Sequence, residues 1–370
     1  MQPDRDLAGG AGAQAPRPIE HPFADVPPTG RAIEVAPGVL WIRMPLPYTL
    51  DHVNVWALAD GAGWTVVDCG VHDAPTRAAW ETLFEGDLAG RPVTRVIVTH
   101  HHADHVGSAG WLAARFGCEL WMTRNEYLQC QASLAAHLRP MPEAQLDFYR
   151  RAGWREPQLA VCRERMAGFA DRIAPPPDRY RRIRDGDGIA IGAHRWQVVV
   201  GHGHSPEHAC LVNAELKLLI SGDQVLPRIS SNVSVVPWEP LGDPLAEWNE
   251  SLALFRDTLD DDLLVLPSHK TCFTGLHRRL RELDEEQATA QRQLLDFLQR
   301  GPCRTIDVFP ALFKRPIDAA DGLLMILATG ESQAFLNRLC NAGTVRAEPD
   351  GAGVLWYRPT GADPHPDATA

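Results

Sequence analysis

Short apolar segments rich in β-branched and aromatic residues recur along the first 270 residues, and turns or amphipathic stretches separate them. Such segments are typical of buried strands. Their alternation with helical spacing predicts an α/β fold in which two mixed sheets pack together between flanking helices. The predicted strands are 39–43, 53–58, 64–68, 95–99, 119–123, 196–200, 210–212, 216–221 and 263–266, and the predicted helices are 74–84, 107–116 and 243–259.

Two regions depart from this alternation. From about residue 125 to 171 the strand signals vanish and apolar residues follow helical spacing, which predicts a helical insert. After residue 273, helices followed by a hairpin outline a winged helix. The elements predicted there are a long amphipathic helix at 277–300, shorter helices near 307–313, 319–328 and 332–342, and hairpin strands at 344–347 and 354–358.

These patterns divide the chain of 370 residues into four parts. Both ends lack an apolar pattern and are rich in Gly, Ala, Pro or Asp, which predicts flexible segments. The parts are a flexible arm at 1–30, an α/β unit at 31–273 with its insert at about 125–171, a winged-helix-like unit at 274–359 and a flexible tail at 360–370.

Charge and cysteine content narrow the classes of function. The formal net charge is −11, and from residue 273 onward 11 Lys and Arg stand against 13 Asp and Glu. Nucleic-acid and membrane-surface binders need positive charge, so neither partner is expected. No apolar run reaches the ~18 residues of a membrane span, and no signal peptide is visible. The 8 cysteines form no CxxC pair, which favours reduced thiols, and the cytoplasm is the expected location.

The densest polar feature is the segment from Thr99 to His105, which holds four histidines and a carboxylate directly after a predicted strand. Ligands bind at the C-terminal ends of strands in α/β folds. Residues two apart in an extended segment share a face, so His100 and His102 can reach one metal ion. Asp104 and His105 follow where the chain turns, and they can point to a second ion. Imidazole and carboxylate donors suit zinc and similar divalent metals.

Three further polar clusters follow predicted strands. Each alone is a weak signal, because a lone Asp in a turn usually caps local structure and a lone His is more often structural. Four polar clusters at four strand ends are instead typical of one shared site. The candidate residues in the three further clusters are His204 with His208, Asp223, and His269.

These residues resemble the motifs of the metallo-β-lactamase superfamily, and they occur in the family's order. His100-x-His102-x-Asp104-His105 matches the HxHxDH signature of that family. The resemblance covers about residues 35–270 and implies an αββα sandwich with a binuclear site at its edge. The C-terminal unit is similar to the winged-helix domain attached to a subgroup of these hydrolases. The remaining motifs match at Asp68, His204, Asp223 and His269.

The resemblance also implies a role for each matched residue. Asp68 would brace the ligand loop by hydrogen bonds, and His208 is similar to an outer residue of the third motif. Zinc is favoured by the donor types, and iron or manganese occupies the same His/Asp set in some relatives. The implied ligands are His100, His102 and His204 for one ion and Asp104, His105 and His269 for the second, with Asp223 bridging both.

Two positions depart from the family pattern. Glu207 stands where the third motif commonly has glycine, and a charge there predicts altered substrate access. Lys270 follows His269 at a position where Gly or Asn is common. Its ammonium is either a site for an anionic substrate group or a solvated lysine. Asn232, shortly after Asp223, is a further candidate for lining the substrate pocket.

The implied chemistry is hydrolysis. Two metal ions lower the pKa of a bridging water, and the hydroxide attacks a carbonyl or phosphoryl centre while Asp104 orients it and moves its proton. We expect a metal-dependent hydrolase of a small-molecule thioester or ester. A single-strand-directed nuclease of the same superfamily is the alternative, and the acidic net charge weighs against it. A non-catalytic domain is disfavoured by the full ligand set, and a homodimer stays open.

Overall fold

A computed structural model of the chain describes residues 16–136, 141–167 and 170–361. Residues 16–30, which belong to the predicted arm, run along the α/β unit. Glu20 forms an isolated bridge with Thr274, and the ring of Phe23 packs edge-on against Trp41. The rest of the predicted arm, parts of the insert and most of the tail lie outside the described residues, namely 1–15, 137–140, 168–169 and 362–370.

The first sheet contains seven strands in chain order. The first four pair antiparallel, whereas the fourth to seventh pair in parallel, which requires crossover connections. Helices lie in each of these three crossovers. The strands are β1 (Ala32–Ala36), β2 (Val39–Pro45), β3 (His52–Asp60), β4 (Gly63–Val67), β5 (Val93–Ile97), β6 (Glu119–Met122) and β7 (Arg181–Arg182).

The second sheet contains five strands, and each strand again lies beside its neighbours in the sequence. Its neighbours pair antiparallel except for the last two strands in sequence, which pair in parallel around a crossover helix. The strands are β8 (Gly188–Ile191), β9 (His194–Gly201), β10 (His208–Asn213), β11 (Leu218–Gly222) and β12 (Leu264–Pro267).

Helices cover both outer faces and form most of the insert and the C-terminal unit. Pro75 and Pro244 lie within the first turn of their helices, where a missing N–H costs nothing. The helices are α1 (Ala74–Glu85), α2 (Ala103–Val106), α3 (Ala109–Phe116), α4 (Arg124–Ala136), α5 (Glu143–Arg151), α6 (Glu156–Ala167), α7 (Pro244–Thr258), α8 (Leu276–Leu298), α9 (Phe309–Leu312) and α10 (Gly322–Asn341). Short 3₁₀ turns span Ala170–Arg172 and Thr305–Val308.

Three apolar clusters define the layers. The cluster between the sheets contains the fully buried rings of Trp41, Trp56 and Trp196. A second cluster packs the outer face of the first sheet against Trp80 of α1 and its neighbours. The third packs the outer face of the second sheet against Trp248 of α7 and the C-terminal unit. The predicted αββα sandwich with an additional C-terminal unit is thereby confirmed.

The C-terminal unit consists of α8, α9, α10 and a hairpin of β13 (Val345–Pro349) and β14 (Leu355–Pro359). The prediction of two helices on either side of Gly330 was wrong, because α10 continues through it. A Cβ at this position would lie 2.8 Å from Cβ of Ser234. The glycine therefore permits close packing rather than a chain break. The winged-helix interpretation stays a prediction.

Within the three described ranges, no helix is both long enough and apolar enough to cross a lipid bilayer.

We predict that Trp56→Ala will lower the free energy of unfolding by about 4 kcal/mol, because it leaves a cavity between the sheets. The ring of Trp56 is fully buried and stacks on Trp41 at 6.3 Å between centroids. Chemical denaturation measures the change. Trp238→Ala is the matched control, since that ring is 51% exposed, and equal losses in the two variants would contradict the assigned core.

Candidate metal centre

The predicted ligands come together where the carboxyl ends of several strands meet at one edge of the two sheets. Backbone hydrogen bonds join the sheets at this edge. The N–H of Ala209 donates to the carbonyl of Thr99 at 2.9 Å, and the N–H of Asn54 donates to the carbonyl of Ser268 at 2.6 Å. The candidate residues that follow strands here are Asp68 after β4, His100 after β5, His204 after β9, Asp223 after β11 and His269 after β12.

A first group of donors consists of His100, His102 and His204. Nε2 of His100 lies 3.0 Å from Nδ1 of His102 and 3.2 Å from Nε2 of His204. Three ring nitrogens therefore converge on a space the size of one ion, and these are the three residues predicted to share one metal.

A second group consists of Asp104, His105 and His269. Oδ2 of Asp104 lies 3.5 Å from Nε2 of each of the two histidines. Asp223 lies between the groups: its Oδ2 is 3.5 Å from Nε2 of His105 and of His204, and its Oδ1 is 3.4 Å from Nε2 of His269. The structure thus brings all seven predicted ligands together.

Two buried polar atoms show that this donor set fits metal ions. Nε2 of His105 and Oδ1 of Asp223 are inaccessible to water and have no hydrogen-bond partner among the described residues. Leaving such atoms unpartnered costs free energy. A divalent cation would satisfy both, and a set of imidazole and carboxylate donors is one that zinc accepts.

Charge and burial divide the site into two halves. Burial lowers the pKa of His100, His102 and His204, which keeps these rings neutral and able to donate a lone pair. Burial would also lower the pKa of His269, but the negative charges and hydrogen bonds of Asp223 and Asp104 together outweigh it and raise the pKa to about 10. Metal binding in this carboxylate-rich half would therefore release protons.

Asp68 braces the histidine-rich loop, residues 99–105, by hydrogen bonds. Its Oδ1 accepts the N–H of Thr99 at 2.8 Å, and its Oδ2 lies 2.8 Å from Nδ1 of His105. The hydroxyl of Thr99 lies 3.0 Å from Nδ1 of His100. Asp68 adopts a left-handed backbone conformation, with φ of 60°, which is uncommon for residues other than glycine. These contacts are those of the bracing role that the resemblance implies.

The ring of His208 supports Asp223, the predicted bridging ligand. Its Nε2 accepts the backbone N–H of Asp223 at 3.0 Å. Burial, and then the neighbouring His204, lowers the pKa of His208 to about 4, so the ring is neutral and can accept this bond. The ring also stacks on His100 at 4.7 Å. His208 therefore contacts two of the predicted ligands, Asp223 and His100, and helps to fix their orientation.

The contacts of Glu207 explain its departure from glycine. Its carboxylate accepts the backbone N–H of Asn125 at 2.9 Å, and its carbonyl accepts the hydroxyl of Thr123 at 2.8 Å. The side chain therefore caps the N-terminus of α4, where a negative charge is favourable. The predicted effect of this charge on substrate access stays a prediction.

The two predicted substrate contacts lie beside the site. Lys270 has a φ of 71°, a left-handed conformation that Gly and Asn adopt most easily, and its carbonyl accepts Arg43 at 2.6 Å. Asn232 places its carbonyl 2.7 Å from Nδ1 of His204. Contact of either side chain with substrate stays a prediction.

The sequence analysis missed Glu126, a fully buried carboxylate in the first turn of α4. Its Oε2 accepts the N–H of His101 at 2.9 Å and lies 2.6 Å from Nδ1 of the same residue, and its Oε1 accepts the N–H of Glu207 at 2.7 Å. One side chain thus connects the loops that carry His102 and His204. A single Glu near a predicted helix start gives no sequence signal for such a role.

Comparison with known families agrees with this geometry. Residues 48–269, more than half of the chain, match the family model described as the metallo-beta-lactamase superfamily. The chain belongs to the metallo-β-lactamase superfamily. Residues 292–360 match a second model, described as the metallo-beta-lactamase-like C-terminal domain. The predicted family is confirmed.

Several relatives in the superfamily cover most of the chain. The crystal structure of a beta-lactamase domain protein from Burkholderia ambifaria is 40% identical, covers 92% of this chain and 98% of its own, and superposes with a TM-score of 0.84. The probable metallo-hydrolase YqjP of Bacillus subtilis is 25% identical over 75% of this chain and 87% of its own length. The acyl-coenzyme A thioesterase MBLAC2 of Gallus gallus is 27% identical over 66% and 81%, respectively. The predicted enzyme class, a hydrolase of this superfamily, is confirmed.

We predict that Glu126→Gln will lower the free energy of unfolding by about 3 kcal/mol at neutral pH. The amide NH₂ of the glutamine would face one of the N–H donors that the carboxylate now accepts, and that buried donor would lose its hydrogen bond. Burial would raise the pKa of Glu126, but His101 and the hydrogen bonds lower it to about 2 from an ordinary value of 4.5. The stabilisation is therefore complete above pH 4.5 and is lost as the pH falls towards 2.

Chemical denaturation of wild type and of Glu126→Gln across this pH range tests the direction of the pH dependence. The difference between wild type and variant should shrink on acidification, and a difference that grows would contradict the assignment. Glu285→Gln, at an exposed position of α8, is the control and should change little.

Proposed function

We propose that this superfamily member is a binuclear metallohydrolase that cleaves small-molecule thioesters or esters. The observation that carries the proposal is the position of Asp223, whose two oxygens lie 3.4 to 3.5 Å from nitrogens of both donor groups. A carboxylate placed between two sets of donors can hold two ions at once. Zn²⁺ is favoured by the donor types, with iron or manganese as the alternatives.

The chain's own residues would divide the work. When bound, two divalent ions lower the pKa of water and polarise a substrate oxygen. His100, His102 and His204 supply neutral lone pairs to one ion because burial lowers their pKa. Asp104 has 22% of its side chain exposed, more than the 10% of Asp223. It is therefore the carboxylate best placed to orient the attacking water. Burial would raise its pKa, but His105 and His269 hold that pKa well below the usual range, which keeps the carboxylate ionised for this role.

The substrate class is supported by a relative and by charge. One relative that aligns over two thirds of the chain is named as an acyl-coenzyme A thioesterase. The net charge of −11 opposes the approach of a polyanionic nucleic acid backbone. Thioester or ester hydrolysis is therefore favoured over the alternative, single-strand-directed nuclease activity on the same metals.

We expect purified protein loaded with Zn²⁺ to contain two ions per chain by elemental analysis. Asp223→Ala should lose at least one ion and more than about 100-fold in kcat/KM, because it removes the shared ligand. Asp296→Ala, on the exposed side of α8, is the control and should keep both. One ion per wild-type chain at saturating Zn²⁺ would contradict the binuclear centre.

We expect the loaded protein to hydrolyse acyl thioesters and simple esters, with the activity lost on chelation and restored by metal. Acyl-coenzyme A, nitrophenyl esters, lactones and single-stranded RNA offered in parallel assays form the panel. Cleavage of RNA without any ester or thioester hydrolysis would overturn the proposed substrate class in favour of the nuclease alternative.

A further inference from the structure

The C-terminal unit contacts the segment of chain that supports one of the predicted ligands. This segment, residues 230–235, follows Asp223 and runs beside the donor groups. The N–H of Val235 donates to the carbonyl of Gly330 in α10 at 3.0 Å. A Cβ at Gly330 would lie 2.8 Å from the side chain of Ser234. The helix is therefore seated directly on the segment, at backbone contact distance.

Asn232 lies at the centre of this contact and uses three of its polar groups. Its backbone carbonyl lies 2.7 Å from Nδ1 of His204. Its Nδ2 donates to Oε2 of Glu331 at 2.9 Å, and its Oδ1 accepts the hydroxyl of Ser234. The bond to His204 fixes which ring nitrogen carries the proton and leaves Nε2 free to face the donor group. Asn232 therefore connects α10 to a predicted metal ligand through one residue.

The carboxyl group of Glu331 is buried, and the side-chain amide of Asn232 donates a hydrogen bond to it. Burial raises the pKa of the Glu331 carboxyl to about 7, against the lowering effect of the bond from Asn232. The carboxyl offers Oε2 as an acceptor to the Asn232 amide in both its protonated and ionised forms. The contact therefore depends on the acceptor oxygen and not on the charge.

We propose that Glu331 is a positioning residue of the metal centre, through which α10 fixes Asn232 and hence the ring of His204. The inference rests on the proposed metal centre and gives the C-terminal unit a defined task in it. Partners that orient a ligating histidine typically contribute 10- to 100-fold to metal affinity. Because Glu331 acts only through Asn232, its removal should cost nothing further once the Asn232 side chain is gone.

The test measures Zn²⁺ affinity of the full chain by competition with a chromogenic chelator. Glu331→Gln keeps an acceptor oxygen of the same reach, and Glu331→Met keeps the volume without an acceptor. We expect Gln to bind Zn²⁺ as tightly as wild type and Met to bind about tenfold more weakly. Glu285→Met, at an exposed position of α8, is the matched control and should leave the affinity unchanged.

A double-mutant cycle checks the route of the effect. Asn232→Ala should weaken Zn²⁺ binding at least as much as Glu331→Met, and the double variant should be no weaker than Asn232→Ala alone. Losses that multiply in the double variant would overturn the relay through Asn232. Far-UV circular dichroism of each variant confirms that the fold is kept, and the Gln and Met pair carries the test if Asn232→Ala unfolds.

The outcome is separable from that of the proposed function. Affinity for Zn²⁺ is measured without any substrate, so an unexpected reaction specificity leaves the result intact. Wild-type binding with an unchanged affinity in Glu331→Met would contradict this inference alone. A wild-type chain that binds no Zn²⁺ would contradict both the proposed metal centre and the inference built on it.

Discussion

The pairing of buried carboxylates with imidazoles and loop N–H groups is the interaction on which the rest of the structure depends. Asp68, Glu126 and Asp223 are all buried. A buried charge costs several kcal/mol unless it is paired and hydrogen-bonded. The strands must therefore end at a common edge so that each carboxylate meets its histidine or backbone partner. The order of strands and crossovers satisfies that requirement, and the core between the sheets holds the edge together.

The supports of the donor groups come from different layers of the fold. Asp68 directly follows a strand of the first sheet, Glu126 lies in the insert and Glu331 lies in the C-terminal unit. Asp68 and Glu126 both bind the histidine-rich loop, whereas Glu331 binds Asn232 in the segment 230–235. A metal centre needs its ligands held before the ion arrives, since ordering them on binding would reduce the affinity. Distributing the supports means that no single element can move away without loosening a ligand.

Much of this architecture could be predicted from the sequence. The strand pattern and the separation of His100 and His102 from Asp104 and His105 depend on local periodicity and on spacing within a few residues, which a sequence displays directly. The assignment of the three more distant ligands to these groups rests on the resemblance to the family. The contacts of Glu126 and Glu331 join segments 25 and 99 residues apart, and nothing in the local pattern distinguishes these carboxylates from solvated ones. Gly330 shows the same limit, because the close approach of Ser234 that its missing side chain permits comes from a distant segment of the chain.

The third apolar cluster has a consequence for how such chains can diversify. It contains Trp154 from the insert, Leu219 from the second sheet and Phe335 from α10, and the indole N–H of Trp154 donates to the hydroxyl of Thr329 at 2.9 Å. The insert and the C-terminal unit therefore share one apolar core, and protein cores are close-packed with few voids. Exchanging either part for that of a distant homologue would leave mismatched volumes, so the two are constrained to change together during evolution.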